Sequence, residues 1–227
     1  MNPAYYDAYA NLGDLYRTQG KTDEAEQNYL RAIELGAPYA DTFYNLAVVY
    51  TSQNRFPEAE QQLQTAVVKN PTNTAAWYNL GWVYDQQAKS ALAEQAYAKT
   101  LEFKPDYPEP RINLAILQAK RNALNEALAN LLTAQTYVPD HSVLLYALGD
   151  VYLRMSKYQD AINALNKLIQ KEPQHRLAYT MRGIGFEGLG NKEQAKANFQ
   201  KAIEVAPQEP YTNTAREHLS KLQTGGG

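Results

Sequence analysis

Trp77-Tyr78-Asn79-Leu80-Gly81-Trp82-Val83-Tyr84 is an apolar and aromatic run with one glycine inside it; Ala93, Tyr97 and Pro105 follow 12, 16 and 24 residues after that glycine. A shift of 34 residues in either direction finds the same frame. Gly13, Ala47, Ala115, Gly149 and Gly183 stand at the glycine position, and Ala25, Ala59, Ala127, Ala161 and Ala195 at the alanine position. Leu12, Leu46, Leu114 and Leu148 keep the leucine, with Arg182 as the exception; Tyr16, Tyr50, Tyr152 and Phe186 keep the later aromatic, with Gln118 as the exception. Pro71, Pro139, Pro173 and Pro207 repeat the closing proline, and Ala37-Pro38 ends the first copy. A fixed period of this size is the mark of a repeat architecture. The units are 6–39, 40–73, 74–107, 108–141, 142–175 and 176–209, after a lead of 1–5.

Inside each unit the apolar residues recur at helical spacing, as in Tyr9, Leu12, Gly13, Tyr16 and then Ala25, Tyr29, Ala32, so each unit holds two helices. Gly20, Asn54, Asn122 and Gly190 occupy the turn between them and tolerate positive φ; Ala88 and Ser156 do so less readily. Thr22-Asp23-Glu24 offers a cap with acids in the first turn of a second helix, and Pro57-Glu58 places proline at a helix start. Gly or Ala facing Ala is expected to let the two helices of a unit approach closely, with large aromatic side chains filling the flanking holes. One pair alone leaves a face bare, which stacked neighbours bury. The last pair needs a polar-backed helix, predicted over 210–223 with Ala215, Leu219 and Leu222 inward; 224–227 is set apart as a Gly-rich tail or linker. The expected fold class is all-α, a solenoid of six 34-residue helix-turn-helix repeats plus a C-terminal capping helix.

These residues resemble the tetratricopeptide repeat family, whose 34-residue signature the stretch 77–105 shows nearly complete, and the resemblance covers about nine-tenths of the chain. It implies a right-handed superhelix with first helices lining a concave groove and second helices on the convex side. It also implies a non-enzymatic adaptor that holds a peptide segment of a partner in that groove.

Composition narrows the chemistry. Among 227 residues, Lys and Arg total 22 against 24 Asp and Glu, a net charge of −2, which provides no field for phosphate backbones, and the basic residues are scattered. No nucleic acid partner is expected. With no cysteine, thiolate metal sites and thiol catalysis are excluded. No apolar run reaches the length needed to cross a bilayer, so no direct membrane insertion is expected; no signal peptide is visible at the N-terminus, and a cytoplasmic location is favoured. His141, His175 and His218 read as solvated loop or surface residues, and no metal or other cofactor is expected. Gly183-Ile184-Gly185-Phe186-Glu187-Gly188 spells a dinucleotide fingerprint, but inside a helix, where backbone amides cannot face a pyrophosphate. No catalytic residue can be nominated.

Specific function then falls to residues that packing leaves over. The sixth place of the first four units holds Asn11, Asn45, Asn79 and Asn113, a row of carboxamides able to donate to and accept from a peptide backbone. Tyr44, Tyr78, Ile112 and Tyr146 stand one place earlier. The ninth place, often polar in the family, is apolar at Val48, Trp82 and Ile116. An apolar patch in units two to four is expected to take aliphatic or aromatic anchors from a protein or peptide partner, with Trp82 as its centre; the alternative is that Trp82 packs on Tyr78 or a neighbouring helix. The lysines of the family's carboxylate clamp are missing, since the second place holds Asp7, Asp41, Ala75, Glu109, Val143 and Leu177. Arg17, Lys120 and Arg154 could pair with acids of a ligand. A competing reading is a self-assembling scaffold, a homo-oligomer or assembly factor of a larger, membrane-associated complex, in which one molecule's terminus fills the next one's groove.

Two irregularities carry expectations of their own. Pro108-Glu109-Pro110-Arg111 and Gln118 weaken the fourth unit's packing and leave room for a bend. Arg182 sits at a normally buried leucine position amid three helix-weakening glycines, which suggests fraying, and Glu217 is its expected partner.

Overall fold

The computed structural model describes residues 4–206 and 212–224. Among the described residues there are thirteen α-helices and no strand, an all-α helical-repeat fold of the solenoid class. They fall into two compact units, Met1–Pro105 and Asp106–Gly227, and the division comes just before Pro108-Glu109-Pro110. The first holds α1 (Ala4–Thr18), α2 (Thr22–Glu34), α3 (Ala40–Ser52), α4 (Phe56–Lys69), α5 (Thr74–Gln86) and α6 (Ser90–Phe103). The second holds α7 (Pro108–Lys120), α8 (Leu124–Tyr137), α9 (Ser142–Arg154), α10 (Tyr158–Lys171), α11 (Arg176–Gly188), α12 (Lys192–Val205) and α13 (Asn213–Thr224). Pro207, Tyr211 and the tail 225–227 lie outside the described residues.

All six turns inside the hairpins share one geometry. Gly20, Asn54, Ala88, Asn122, Ser156 and Gly190 have φ between 57° and 75°. The next amide reaches back to the residue five before it, as from Lys21 to Tyr16 O and from Lys89 to Tyr84 O, both 2.9 Å. This bond satisfies an orphaned carbonyl at the end of each first helix. It holds even where Ala88 and Ser156 are poorly suited to the left-handed conformation, at a cost of about 1 kcal/mol each. Pro57 sits in the first turn of α4 as expected. Thr22 does not cap α2: the cap position is Lys21, with no side-chain bond, and only the acids Asp23 and Glu24 of the first turn are in place. Side-chain caps come instead from Asn73, His175 and Asn191, which accept from Ala76 N, Ala178 N and Gln194 N.

The small residues work differently from the expectation that Gly faces Ala. A methyl group at Gly13 would lie 2.6 Å from the Tyr29 ring, at Gly81 2.7 Å from Tyr97, at Gly149 2.7 Å from Leu165 and at Gly183 2.6 Å from Phe199. Each glycine therefore receives the large residue four places beyond the repeat's alanine, and Tyr29, Tyr97, Leu165 and Phe199 are fully buried against it. Where Ala47 or Ala115 replaces the glycine, the opposing residue is Leu63 or Leu131, smaller than the rings that Gly13, Gly81 and Gly183 receive, while Gly149 also takes a leucine. The bulk on the two helices is complementary, as close packing requires.

Glycines 185 and 188 have the same explanation, which replaces fraying: they admit Ile162 and Tyr158 of the preceding helix. Arg182 does not meet Glu217. Its Nε and Nη1 donate to Asn198 Oδ1 and Asn166 Oδ1, both at 2.7 Å, and partial burial lowers its pKa. Carboxamides on α12 and α10 thus hold a cation at the position where other repeats place leucine. α13 closes the second unit: Ala215 is buried and Leu219 and Leu222 pack on the cluster around Phe199. His218 is no free surface histidine, because its Nδ1 lies 2.6 Å from Glu187 Oε2 and its ring stacks on Phe199.

Candidate functional site: the first-helix faces

In the first unit the asparagine row is tied into the repeat stack. Asn45 donates from Nδ2 to Asp14 Oδ1 at 2.7 Å, and the same carboxylate oxygen accepts from Tyr29 Oη at 2.6 Å. Burial and this bond raise the Tyr29 pKa well above the phenol range. Asn79 donates to Tyr44 Oη at 3.0 Å. Each half-buried carboxamide thus locks one first helix to the preceding one, and its Oδ1 has no protein partner among the described residues. An oxygen held this way can accept from a backbone N–H but no longer offers the two-way grip of a free carboxamide. Asn11 is exposed on α1. Asn113 is half-buried on α7, in the second unit, and is itself engaged.

The apolar positions divide between the units. Val48 and Trp82 are half-buried on α3 and α5; the Trp82 ring meets Phe56 edge to face, centroids 5.7 Å apart, and so packs on the start of the preceding second helix. Tyr78 tilts against Tyr97 of its own hairpin at 6.0 Å. Ile112 is corrected outright: at 2% exposure it belongs to the core of the second unit, because its neighbours on α8 and α9 close over it. Ile116 and Tyr146, by contrast, come together. They line a cleft of about 130 Å³ between α7 and α9, floored by Ala115, Ala119, Ala147 and Val151 and rimmed by Lys120, Asp150 and Arg154.

Small side chains make this cleft. Ala115 and Ala119 follow one another on the same face of α7, and Ala147 stands across on α9, so nothing fills the space between Ile116 and Tyr146. Burial raises the Tyr146 pKa, with the Asp150 charge as a lesser cause. Arg154 donates to Ala119 O at 2.8 Å and Asn122 Oδ1 at 3.1 Å and lies 3.7 Å from Asp150. It therefore neutralises the carboxyl end of α7 and stiffens one wall of the cleft. Sequence reasoning saw Ile116, Tyr146, Lys120 and Arg154 singly and missed the alanines; the i, i+4 pair Ala115 and Ala119 opposite Ala147 was the available signal. Among the described residues no group of three His, Cys, Asp or Glu could hold a metal ion, and no helix is long and apolar enough to cross a membrane.

Comparison with known proteins agrees with this architecture. Family models described as tetratricopeptide repeat match residues 8–67, 44–108 and 178–209, and one described as YpiA-like, tetratricopeptide repeats, matches 123–173. The chain belongs to the tetratricopeptide repeat family. The mouse (Mus musculus) FK506-binding protein-like is 31% identical over 110 residues, which is 48% of this chain and 31% of that protein. Human (Homo sapiens) tetratricopeptide repeat protein 16 is 38% identical over 61 residues, 27% of this chain and 7% of that protein. This chain thus spans under a third of either relative. Among solved structures, YrrB, a TPR protein described as having an unusual peptide-binding site, superposes with a TM-score of 0.74 at 20% identity, over 83% of this chain and 97% of that one. Pseudomonas aeruginosa pilF superposes with a TM-score of 0.75 at 17% identity, over 98% of both. At these identities the likeness is one of fold.

Proposed function

We propose that the chain is a non-enzymatic adaptor whose first-helix faces hold an extended peptide of a partner protein. The observation that carries this reading is the cleft between α7 and α9, charged at its rim and apolar inside, a space left open over core alanines beside the half-buried Ile116 and Tyr146. One aliphatic or aromatic side chain of the peptide fills it between Ile116 and Tyr146. The first unit, taken by itself, offers a separate surface for peptide backbone, where the fixed Oδ1 atoms of Asn45 and Asn79 can accept N–H groups beside the apolar Tyr44, Val48 and Trp82. The fold of YrrB, itself described as carrying a peptide-binding site, supports the reading by analogy of fold alone.

The test is a peptide selection by display against the chain, followed by titration of the selected sequences into the wild type and Ile116→Glu. Ile116 is half-buried and packs on the edge of the second unit's core, so circular dichroism and thermal melting first establish that the variant folds. Apolar-anchored peptides that lose at least tenfold in affinity support the proposal. Selected peptides that bind the variant as well as the wild type refute it.

A further inference from the structure

Repeat by repeat, the second place of the first helix changes character along the chain. It holds Asp7, Asp41, Ala75 and Glu109 in the first four repeats, then Val143 and Leu177. Val143 is 46% exposed and Leu177 37%, so neither is spent on the core. With Ser142, Tyr146, Glu172 and His175 they line an open pocket of about 440 Å³ where α9 and α11 begin. Its walls come from consecutive repeats inside one compact unit, and Tyr146 is the wall it shares with the cleft between α7 and α9. The two openings thus flank one tyrosine and run on from each other along the first-helix face.

The polar groups of the pocket define what suits it. His175 Nδ1 accepts from Ala178 N at 3.2 Å, so the neutral ring carries its proton on Nε2 and keeps a donor for a carbonyl oxygen; the ring tilts against Tyr146, centroids 5.7 Å apart. Glu172 is half-buried and its carboxylate has no cationic partner among the described residues, whereas Arg176, in the adjoining hollow, has a contact of its own. A half-buried carboxylate in that position favours a cation brought by the occupant. Spacing selects the occupant's conformation. Ile116 holds the ninth place of its repeat and Val143 the second place of the next. Seven places at about 1.5 Å along the axis, and one helix spacing of about 8–10 Å, put the two residues about 13–15 Å apart. An extended chain rising about 3.3 Å per residue brings residues i and i+4 to one face at about 13 Å. In an α-helix that distance takes about nine residues, which turns the second side chain to the opposite face.

We propose that the pocket of Val143, Tyr146, His175 and Leu177 is a second anchor site for the peptide held in the cleft, so that the partner segment is an extended chain with two aliphatic or aromatic residues four places apart and a Lys or Arg next to the second of these anchors. This rests on the reading of the cleft as a peptide site. Tyr146 stands between the two anchors, His175 Nε2 donates to a backbone carbonyl of the segment, and Glu172 pairs with its base. Selectivity then comes from the distance between the anchors and from the charge, since either pocket alone accepts any apolar side chain that fits.

Random linear peptides are selected by display against the full chain, and the tightest is titrated into the wild type, Ile116→Glu, Leu177→Asp and Glu172→Lys, with circular dichroism confirming that each variant folds. Leu177 is exposed in the first turn of α11, where an acid suits the helix. The expected result is a selected sequence with apolar residues four apart and a base beside one of them, and at least a tenfold loss in Ile116→Glu and in Leu177→Asp. Glu172→Lys also weakens binding, and a peptide with its base changed to an acid restores it. Full affinity in Leu177→Asp with a loss in Ile116→Glu overturns the second anchor and leaves the cleft reading standing. Full affinity in both, or no selected peptide, overturns both readings. A loss in Leu177→Asp alone overturns the two-anchor proposal, because the pocket then binds without the cleft, and a loss in Glu172→Lys that the acidic peptide fails to restore overturns the pairing with a base.

Discussion

Replacing Gly81 by alanine tests how closely the two helices of a repeat are fitted. The new methyl would lie 2.7 Å from Cδ1 and Cε1 of Tyr97, against about 3.5–4.0 Å for packed carbons. The ring must therefore retreat by about 1 Å, and it has nowhere open to go, being fully buried with Tyr78 6.0 Å away. Overpacking of this kind costs about 1–3 kcal/mol. The higher helix propensity of alanine returns about 1 kcal/mol, which leaves a net loss of about 0–2 kcal/mol. Tyr97→Leu alone opens a void over the glycine and costs about 2 kcal/mol or more. The double variant reproduces the Ala47 with Leu63 pairing already present and fully buried in the preceding repeat. It should therefore be more stable than the sum of the singles by about 1–3 kcal/mol. Equilibrium urea unfolding followed by circular dichroism measures all three. If Gly81→Ala gains the full helix-propensity increment and the double variant is merely additive, the argument for complementary bulk fails.

Three further outcomes are expected. Asp14→Ala removes the acceptor shared by Tyr29 and Asn45 and should cost about 2 kcal/mol in the same unfolding assay; Asp14→Asn, which keeps one acceptor oxygen, should cost less. Ala88→Gly relieves a left-handed alanine at φ 57° and should raise stability by about 0.5–1 kcal/mol, whereas Gly190→Ala, at φ 75°, should lower it by a similar amount. Arg182→Ala strands the buried Asn198 carbonyl and should cost about 1–3 kcal/mol by thermal or urea melting, while Glu217→Ala, at the partner expected from sequence, should change little.

The period, the helix pairs and the turn positions were legible because one residue type recurs wherever geometry leaves no choice, as at Gly20 and Gly190. Ala88 and Ser156 show why composition misleads at such a turn: the backbone bond after them imposes positive φ whatever the side chain. The pairing of Gly81 with Tyr97 was hidden because small residues aligned with small ones in the sequence, whereas in space each small residue faces the large one a helical turn beyond the repeat's alanine. Arg182 invited an acidic partner, yet two neutral carboxamides satisfy its fork of donors at the repeat interface. The asparagine row was readable as a face but not as a bonded one, since the acceptor for Asn45 comes from the preceding repeat, 31 residues away. Ile112 illustrates the limit of spacing arguments. It holds the same register as Tyr44 and Tyr78, but the core closes over it. The cleft beside Ile116 is a space left by alanines, and a space has no letter of its own.

The most direct measurement is the map of amide shifts when a display-selected peptide is titrated into nitrogen-labelled chain. The account predicts that the largest shifts fall on the cleft of α7 and α9, at Ile116, Ala119, Ala147 and Val151. Shifts confined to the second helices α2, α4, α8 and α10, with the cleft residues unmoved, would contradict it.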